Sequence, residues 1–413
     1  MVTRVTNTMM QNTLLNNLNM NLGRMDKLQN QMASGRKYGH ISDDPSALIY
    51  GQAARNKLAR LGHFQGSVEI SQSWLTQAEA GIMELNKVIG AVYEELVSAG
   101  SVKTQEDKRN LARVVDQLRD HYVDTLNTSF GDRFIFGGYN TPGDFASGRA
   151  SDGIKPFAVD SDGNLRFNGF NLSVFDNMPA RFLSMDISGM TELEVQTALE
   201  DVVLSVRDID GNLAFADMDE FLLYINDKNG ITPPLDNSLP SDPPPSNSLT
   251  GAIMMLHQLR DDVLAFDVGP AINMPVTMNG IDVVFYVTVD EETRQPVMRN
   301  TFSALSNIYD AINGSDGVEI GTDKLTLMIK TAQDAQNHLL TKTAEIGGRQ
   351  RRLELLEARY AQDALNYEGM RSDAEDADMA EVIMFLKMAE TVYQASLSAG
   401  ARIIQPTLMD FLR

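Results

Sequence analysis

The residue types that most often carry chemistry are scattered along this chain. It has no cysteine, which excludes disulfides, thiol catalysis and zinc sites with cysteine ligands. No phosphate-binding loop, nucleophile elbow, zinc-binding helix motif or pair of carboxylates that suggests a catalytic cleft stands out. None of the five histidines has a second histidine at the spacing of metal ligands; they are His40, His63, His121, His257 and His338. We therefore predict surface or packing histidines, no metal site, no cofactor and no enzyme.

Two acidic segments, residues 160–167 and 208–215, share the pattern Asp-x-Asp-Gly-Asn. Their carboxylates could bind calcium, but an EF-hand loop needs glycine at its sixth position and a later bidentate glutamate, and both are missing here. Asp-Gly followed by asparagine between apolar residues is typical of hairpin turns. We predict two hairpins, and calcium binding stays open.

The charge is strongly acidic and unevenly spread. A net charge of −21 argues against a nucleic-acid partner, because phosphate contacts need clustered cations. Residues 1–40 carry a net +4, residues 371–413 a net −3 and residues 140–299 a net −16. Opposite charges at the two ends favour their meeting.

No apolar run is long enough for a membrane helix, and the polar first 20 residues do not resemble a cleavable secretory signal.

The prolines divide the chain into unlike parts. Pro45 is the only proline before Pro142, Pro406 is the only one after Pro296, and six of the 14 lie in residues 233–245. Because proline breaks a helix interior, this distribution predicts helical flanks around a different centre.

The first flank predicts a helix over residues 8–33 with a narrow apolar stripe. The stripe follows the three-four spacing of a coiled-coil seam and comprises Leu15, Leu18, Leu22, Met25 and Met32. A lone helix of this length is marginal in water. We therefore predict that about the first 40 and the last 40 residues are disordered in the free monomer and helical in an assembly.

A turn with a clear capping signal follows this helix. The motif turn is the run Ser42, Asp43, Asp44 and Pro45, in which Asp44 suits the N-cap and Pro45 the first helical position. It predicts a second helix from residue 45 to about residue 100. A third helix is predicted from residue 104 or 107 to residue 127.

The sequence of the centre predicts strands and turns. Residues 134–139 predict a strand that meets a turn, and short strands are expected up to about residue 297. Residues 283–289 give the clearest strand, and residues 250–265 predict one helix.

The second flank is helical again, with one helix to about residue 312 and a long segment from Asp323. Its length argues for a coiled coil or bundle. The seam positions that we expect to pair with the first flank include Met370, Ala377, Met384 and Met388.

Six segments at the two ends resemble the flagellin-like family of flagellar proteins. They are ASGRK (33–37), ISDDP (41–45), FIFGG (134–138), DADMA (376–380), YQASL (393–397) and ARIIQ (401–405). The ending TLMDFL (407–412) resembles the hook-associated branch of the family more than its filament subunits. The resemblance covers roughly the first 145 and the last 110 residues.

The resemblance implies a mainly α fold at both termini, a flagellin-like coiled-coil helical bundle, with an inserted β-rich central domain. It implies three domains. Residues 1–44 with 371–413 would form the terminal coiled-coil assembly domain, residues 45–140 with 298–370 a helical bundle, and residues 141–297 an outer variable domain of one or two subdomains.

The resemblance also implies a structural, non-enzymatic protein that joins hook to filament by self-assembly through paired terminal helices. Its partners would be further copies in a ring, another hook-associated protein on the hook side, flagellin or a hook-associated protein on the filament side, and an export chaperone. Its location would be the extracellular flagellum, reached through the flagellar type III export pathway. The nearest alternative is flagellin, the bulk filament subunit; a generic coiled-coil scaffold and an enzyme in the central domain are further alternatives.

Overall fold

The computed structural model describes residues 7–39, 42–99, 105–131, 133–138, 155–207, 213–229, 235, 248–261, 263–290, 294–313 and 322–404. The chain forms two compact units. The terminal unit comprises residues 1–65 with 357–413, and the central unit comprises residues 66–356. The three-domain division expected from the sequence stays a prediction.

Helices dominate both flanks, and shorter helices lie in the centre. They are α1 (Asn7–Ser34), α2 (Pro45–Ala99), α3 (Gln105–Leu126), α4 (Arg181–Ser184), α5 (Glu192–Val203), α6 (Met218–Asn229), α7 (Leu249–Asp261), α8 (Gly280–Val284), α9 (Thr301–Asn313), α10 (Thr322–Glu375) and α11 (Met379–Ile404). The helices predicted for both flanks are confirmed, and the last long segment is divided after Glu375.

Short antiparallel strands occupy the centre. They are β1 (Ser129–Phe130), β2 (Arg133–Phe134), β3 (Phe157–Val159), β4 (Leu165–Phe167), β5 (Phe170–Asn171), β6 (Ala265–Gly269), β7 (Ile272–Pro275), β8 (Phe285–Val289) and β9 (Pro296–Asn300). Strands β3, β4 and β5 form one sheet in that order, and the others pair as β1–β2, β6–β7 and β8–β9. The predicted fold class, helical flanks with a strand-bearing centre, is confirmed.

The centre also holds helices that the sequence interpretation missed, notably α5 and α6. A capping box starts α5: the Thr191 side chain accepts from the Glu194 amide, and the Glu194 carboxylate accepts from the Thr191 amide at 2.7 Å. This Thr-x-x-Glu pattern was a readable signal. The helix predicted over residues 250–265 ends earlier, at Asp261.

The strand predicted over residues 283–289 begins two residues late, because a helical turn precedes it. The Asn279 side chain accepts a hydrogen bond from the Ile281 amide at 3.0 Å and caps α8. Residues 283 and 284 therefore end α8, and the strand begins at Phe285.

The first predicted hairpin is confirmed, since β3 and β4 pair across residues 160–164. One carboxylate oxygen of Asp160 accepts from the amides of Asp162 and Asn164, and the other accepts from Arg166 Nε at 3.0 Å. In the second segment, residues 208–212 lie outside the described residues, and Arg207 forms an antiparallel bridge with Leu213.

Phe136 lies in the core of the central unit. This side chain is fully buried and packs against two glycines. A Cβ at Gly81 would lie 2.9 Å from the Phe136 ring, and a Cβ at Gly280 would lie 2.7 Å from the Phe136 carbonyl oxygen. Both positions need glycine because neither leaves room for a side chain.

The described histidines fit surface or packing roles. His257 lies 2.8 Å from the Phe182 carbonyl oxygen, His338 lies 2.8 Å from the Asp282 carbonyl oxygen, and His63 and His121 are exposed. His40 lies outside the described residues. Within the described part of the chain, no three histidine, aspartate or glutamate side chains are grouped so that they could hold a metal ion.

Candidate assembly surface

The terminal unit is built on the pairing of α1 with α11. On α1 the half-buried positions recur at three- and four-residue spacing and are Gln11, Leu14, Leu18, Asn21, Met25, Leu28 and Gln31. On α11 the matching face comprises Val382, Leu386, Ala389, Tyr393, Ser396 and Gly400. This spacing is that of two helices packed along a seam.

Gly400 marks the closest approach of the two helices. A Cβ at this position would lie 2.7 Å from Cδ2 of Leu14, so only glycine lets the leucine side chain lie against the α11 backbone. The pairing is nevertheless thin: no residue between Met9 and Ser34 is fully buried. Helix α1 therefore gains little stability within one chain.

Two backbone hydrogen bonds close the end of this pair. The Lys37 amide donates to the Glu375 carbonyl, and the Ala377 amide donates to the Gly35 carbonyl, both at 2.8 Å. Arg36 and Asp376 therefore face each other in an antiparallel bridge. Gly35 has φ of +69°, a left-handed conformation in which a side chain would be strained. The ASGRK and DADMA motifs are thus one structural unit.

Side chains strengthen the same closure. The Tyr38 hydroxyl donates to the Ala374 carbonyl, and Lys37 Nζ donates to the Asp373 carbonyl, both at 2.6 Å. Burial and, after it, the nearby Glu375 carboxylate raise the pKa of Tyr38 above its ordinary value. The phenol therefore stays protonated and can keep donating.

A partly buried ion pair joins α2 to α10 within the terminal unit. Arg55 binds the carboxylate of Glu375, whose side chain is almost fully enclosed. Lys57 lies 5.0 Å from the centre of the Tyr367 ring, and Phe64 stacks with Tyr360 at 6.1 Å. The sequence interpretation missed Arg55 and Glu375, because the two residues lie 320 positions apart in the sequence and meet only in the folded chain.

The motif turn behaves as its residues predict. Asp44 caps α2: its Oδ1 accepts from the amides of Ser46 and Ala47 at 3.1 and 3.0 Å. These bonds, led by the one from Ala47, hold the pKa of Asp44 below its ordinary value. Asp43 pairs with Lys27 Nζ at 3.0 Å, and Ser42 is exposed.

Most of the predicted seam residues lie on the surface of the single chain rather than inside the α1–α11 pair. Leu18, Met25 and Ala377 are half-buried. Leu15 is 56% exposed, and the other exposed members are Leu22, Met32, Met370, Met384 and Met388. Within one chain, α1 and α11 therefore pack through faces that differ from the predicted ones. The exposed predicted residues remain available for contact with other subunits. Their role in assembly stays a prediction.

An open groove runs between the two helices beside this surface. Its volume is about 450 Å³, and its apolar walls are Leu28, Phe385, Met388 and Val392. Arg24 and Lys27 line one edge. Ile383, Phe385 and Val392 were absent from the predicted seam, although all three are exposed apolar residues on α11. Such a surface is typical of a site that binds another apolar surface.

No helix among the described residues has the length and apolar character needed to cross a membrane. The surface is apolar at its centre and polar at its edge, a composition that is typical of protein–protein interfaces.

Comparisons with known proteins find similarity to flagellar proteins. Residues 5–141 match the family described as the bacterial flagellin N-terminal helical region. Flagellar hook-associated protein 3 of Salmonella typhimurium is 23% identical over 194 residues, which cover 45% of this chain and 61% of that protein. The same-named protein of Escherichia coli is 25% identical over 195 residues, covering 44% of this chain and 59% of that protein. The matches thus span less than two thirds of the length of these curated relatives.

A crystal structure of flagellar hook-associated protein 3 from Legionella pneumophila is similar with a TM-score of 0.42 at 13% identity. The similarity covers 78% of this chain and 99% of that one.

Proposed function

We propose that this chain is a structural subunit of the bacterial flagellum that joins hook to filament. It self-assembles through its paired N- and C-terminal helices. The match of residues 5–141 to the flagellin N-terminal helical region and the relatives named flagellar hook-associated protein 3 support the proposal. The observation that carries the proposal is the exposed apolar surface along α1 and α11. Large exposed apolar surfaces usually mark sites of protein association.

The proposed partners follow from this role. Further copies form a ring, another hook-associated protein lies on the hook side, and flagellin or a hook-associated protein lies on the filament side. An export chaperone covers the terminal helices before assembly. The proposed location is the extracellular flagellum, reached by type III export, with no nucleic acid and no membrane insertion.

Energetics support assembly rather than a stable lone pair of helices. Complete burial of one leucine or methionine side chain contributes roughly 1.5–3 kcal/mol. The exposed apolar residues of α1 and α11 include Leu15, Leu22, Met384, Phe385 and Met388. Burying several of them between subunits offsets the conformational entropy that the two helices lose on ordering. The contacts between α1 and α11 within one chain do not offset it fully.

Immunogold labelling of isolated flagella tests the role. We expect a narrow band of label between hook and filament. Label along the whole filament would instead identify flagellin, the alternative to which the matched N-terminal region also belongs.

A pair of substitutions tests the surface itself. Met388→Glu places a charge in the apolar groove and should leave cells without attached filaments, while the purified chain keeps its helical content. Ser398→Glu changes an exposed polar residue on the same helix and should preserve filaments. Normal flagella in the Met388→Glu strain would refute the proposed surface.

A further inference from the structure

Many methionines of the central unit are buried, whereas most of those on the helices of the terminal unit are exposed. The central unit holds methionines inside its core, including Met178 and Met298, which are both 0% exposed. The helices of the terminal unit expose theirs: Met384 is 54% and Met388 is 55% exposed on α11. Helix α1 adds four further exposed methionines, Met9, Met10, Met20 and Met32.

The two α11 methionines lie one helical turn apart, on the same side of the helix. Met388 lines the groove with Leu28, Phe385 and Val392, so its thioether borders both solvent and an apolar wall. Any partner that fills the groove must bury this sulfur. The chemical state of the sulfur then decides whether burial is favourable.

We propose that Met384 and Met388 of α11 form an oxidation site, at which a peroxide converts the thioether to a sulfoxide and thereby blocks self-association. The inference rests on the proposed function, since it assigns a chemical control to the same surface.

The reaction needs only the thioether and a peroxide. A sulfur lone pair attacks one peroxide oxygen, an S–O bond forms and the O–O bond breaks. When the oxidant is hydrogen peroxide, the leaving hydroxide takes the proton from the oxygen that is now bound to sulfur and departs as water. Sulfur is oxidised and the peroxide is reduced. The product is a polar, chiral sulfoxide, which methionine sulfoxide reductases can return to the thioether.

The sulfoxide changes what the surface can bind. An apolar thioether packs into irregular gaps, whereas a sulfoxide carries a strong acceptor oxygen, which loses water when an apolar partner covers it beside Leu28 and Phe385. Burial in the assembly excludes peroxide from the same sulfur. The site is therefore open in unassembled subunits and protected in assembled ones.

Peptide mass spectrometry after timed exposure to hydrogen peroxide tests the first step. We expect Met384 and Met388 to oxidise about tenfold or more faster than Met178 and Met298, because susceptibility follows exposure. Equal rates would overturn the inference. Met190, exposed in the central unit, should oxidise as fast as the α11 pair and serves as the off-surface control.

Concentration-dependent light scattering of the full chain tests the second step. Peroxide treatment should reduce self-association of the native chain about tenfold and should leave the double variant Met384→Leu with Met388→Leu less affected, since leucine conserves volume and cannot be oxidised. Met190→Leu should stay as sensitive as the native chain. Unchanged association of chain that carries sulfoxide at both positions, or equal inhibition of the double variant, would overturn the inference.

Failure of the proposed function gives a different result. If the untreated chain does not self-associate, the proposed function fails, and the oxidation site is judged by the fluorescence of an apolar dye. Dye binding should fall about twofold on oxidation of the native chain and less in the double variant, because the sulfoxide makes the groove polar. Equal dye loss in both would overturn the oxidation site.

Discussion

The side chain of Glu375 lies directly over the backbone of Gly51. A Cβ at Gly51 would lie 2.5 Å from Oε1 of Glu375 and 2.8 Å from its Cγ. Because Gly51 has no side chain, the side chain of Glu375 can occupy this space and reach Arg55. One glycine thus decides how closely α2 and α10 approach within the terminal unit.

Gly51→Ala should destabilise the terminal unit by roughly 1–3 kcal/mol, because the new methyl group displaces the buried carboxylate and weakens its ion pair. Amide hydrogen exchange over residues 371–378 measures the effect locally. The matched control is Gly62→Ala, on the same helix, where an added Cβ meets nothing within 4 Å. It should stabilise α2 by roughly 0.5–1 kcal/mol. Identical responses at both glycines would contradict the packing account.

Asp44→Ala should lower the thermal midpoint of the terminal unit, because the first amides of α2 lose their acceptor. Asp44→Asn keeps an acceptor oxygen and should preserve most of the stability at neutral pH. Since the folded pKa of Asp44 lies below its ordinary value of 3.8, the charged cap contributes above that value and is lost as the pH falls through the folded pKa. Circular dichroism melts of both variants from pH 2 to pH 7 check this. An alanine variant that melts like the native chain would show that the cap is dispensable.

Limited proteolysis of dilute monomer should cut within about the first 40 and last 40 residues before it cuts the central unit, since short helices with a thin seam are marginal. The absence of fully buried residues between Met9 and Ser34 supports this order. Assembled protein should resist the same protease. Terminal segments that survive digestion in dilute monomer would contradict the prediction of disorder before assembly.

Asp176→Asn should flatten the pH dependence of stability of the central unit. Burial raises the pKa of Asp176 from 3.8 to about 6, although the carboxylate still accepts from the Asn300 amide at 2.5 Å. A raised folded pKa gives stability that is complete below pH 3.8 and lost as the pH rises through about 6. The native chain should lose up to about 3 kcal/mol from this group between those limits, and the variant should not. Urea unfolding at pH 4, 5, 6 and 7 measures the difference, and parallel curves for the two proteins would rule it out.

The resemblance to flagellin-like proteins is confirmed by the match of residues 5–141 and by the curated relatives. The prediction of no enzyme agrees with the names of these relatives, which are flagellar hook-associated proteins. The specific junction role, its partners and its export remain proposals.

Local chemistry in the sequence determined where the flanking helices begin and end. Asp44 and Pro45 set the start of α2 because capping and a fixed φ act within a few residues. The proline-poor flanks and the first Asp-Gly-Asn hairpin followed from equally short-range preferences. The helical start of residues 280–284 was missed because β-branched residues there favour a strand until the Asn279 cap intervenes.

Only the tertiary structure decided which face of each terminal helix meets the other. The apolar residues of α1 form a band in which Leu14 and Leu18 are half-buried and Leu15 and Leu22 are exposed, and periodicity alone does not say which side of the band packs inward. Gly400 resolves the choice because it admits Leu14 and so turns the other side of the band outward. The sequence by itself determined the helices and their apolar character through local backbone preferences. The contacts between residues hundreds of positions apart determined what stays exposed, because packing depends on shapes that meet only after folding.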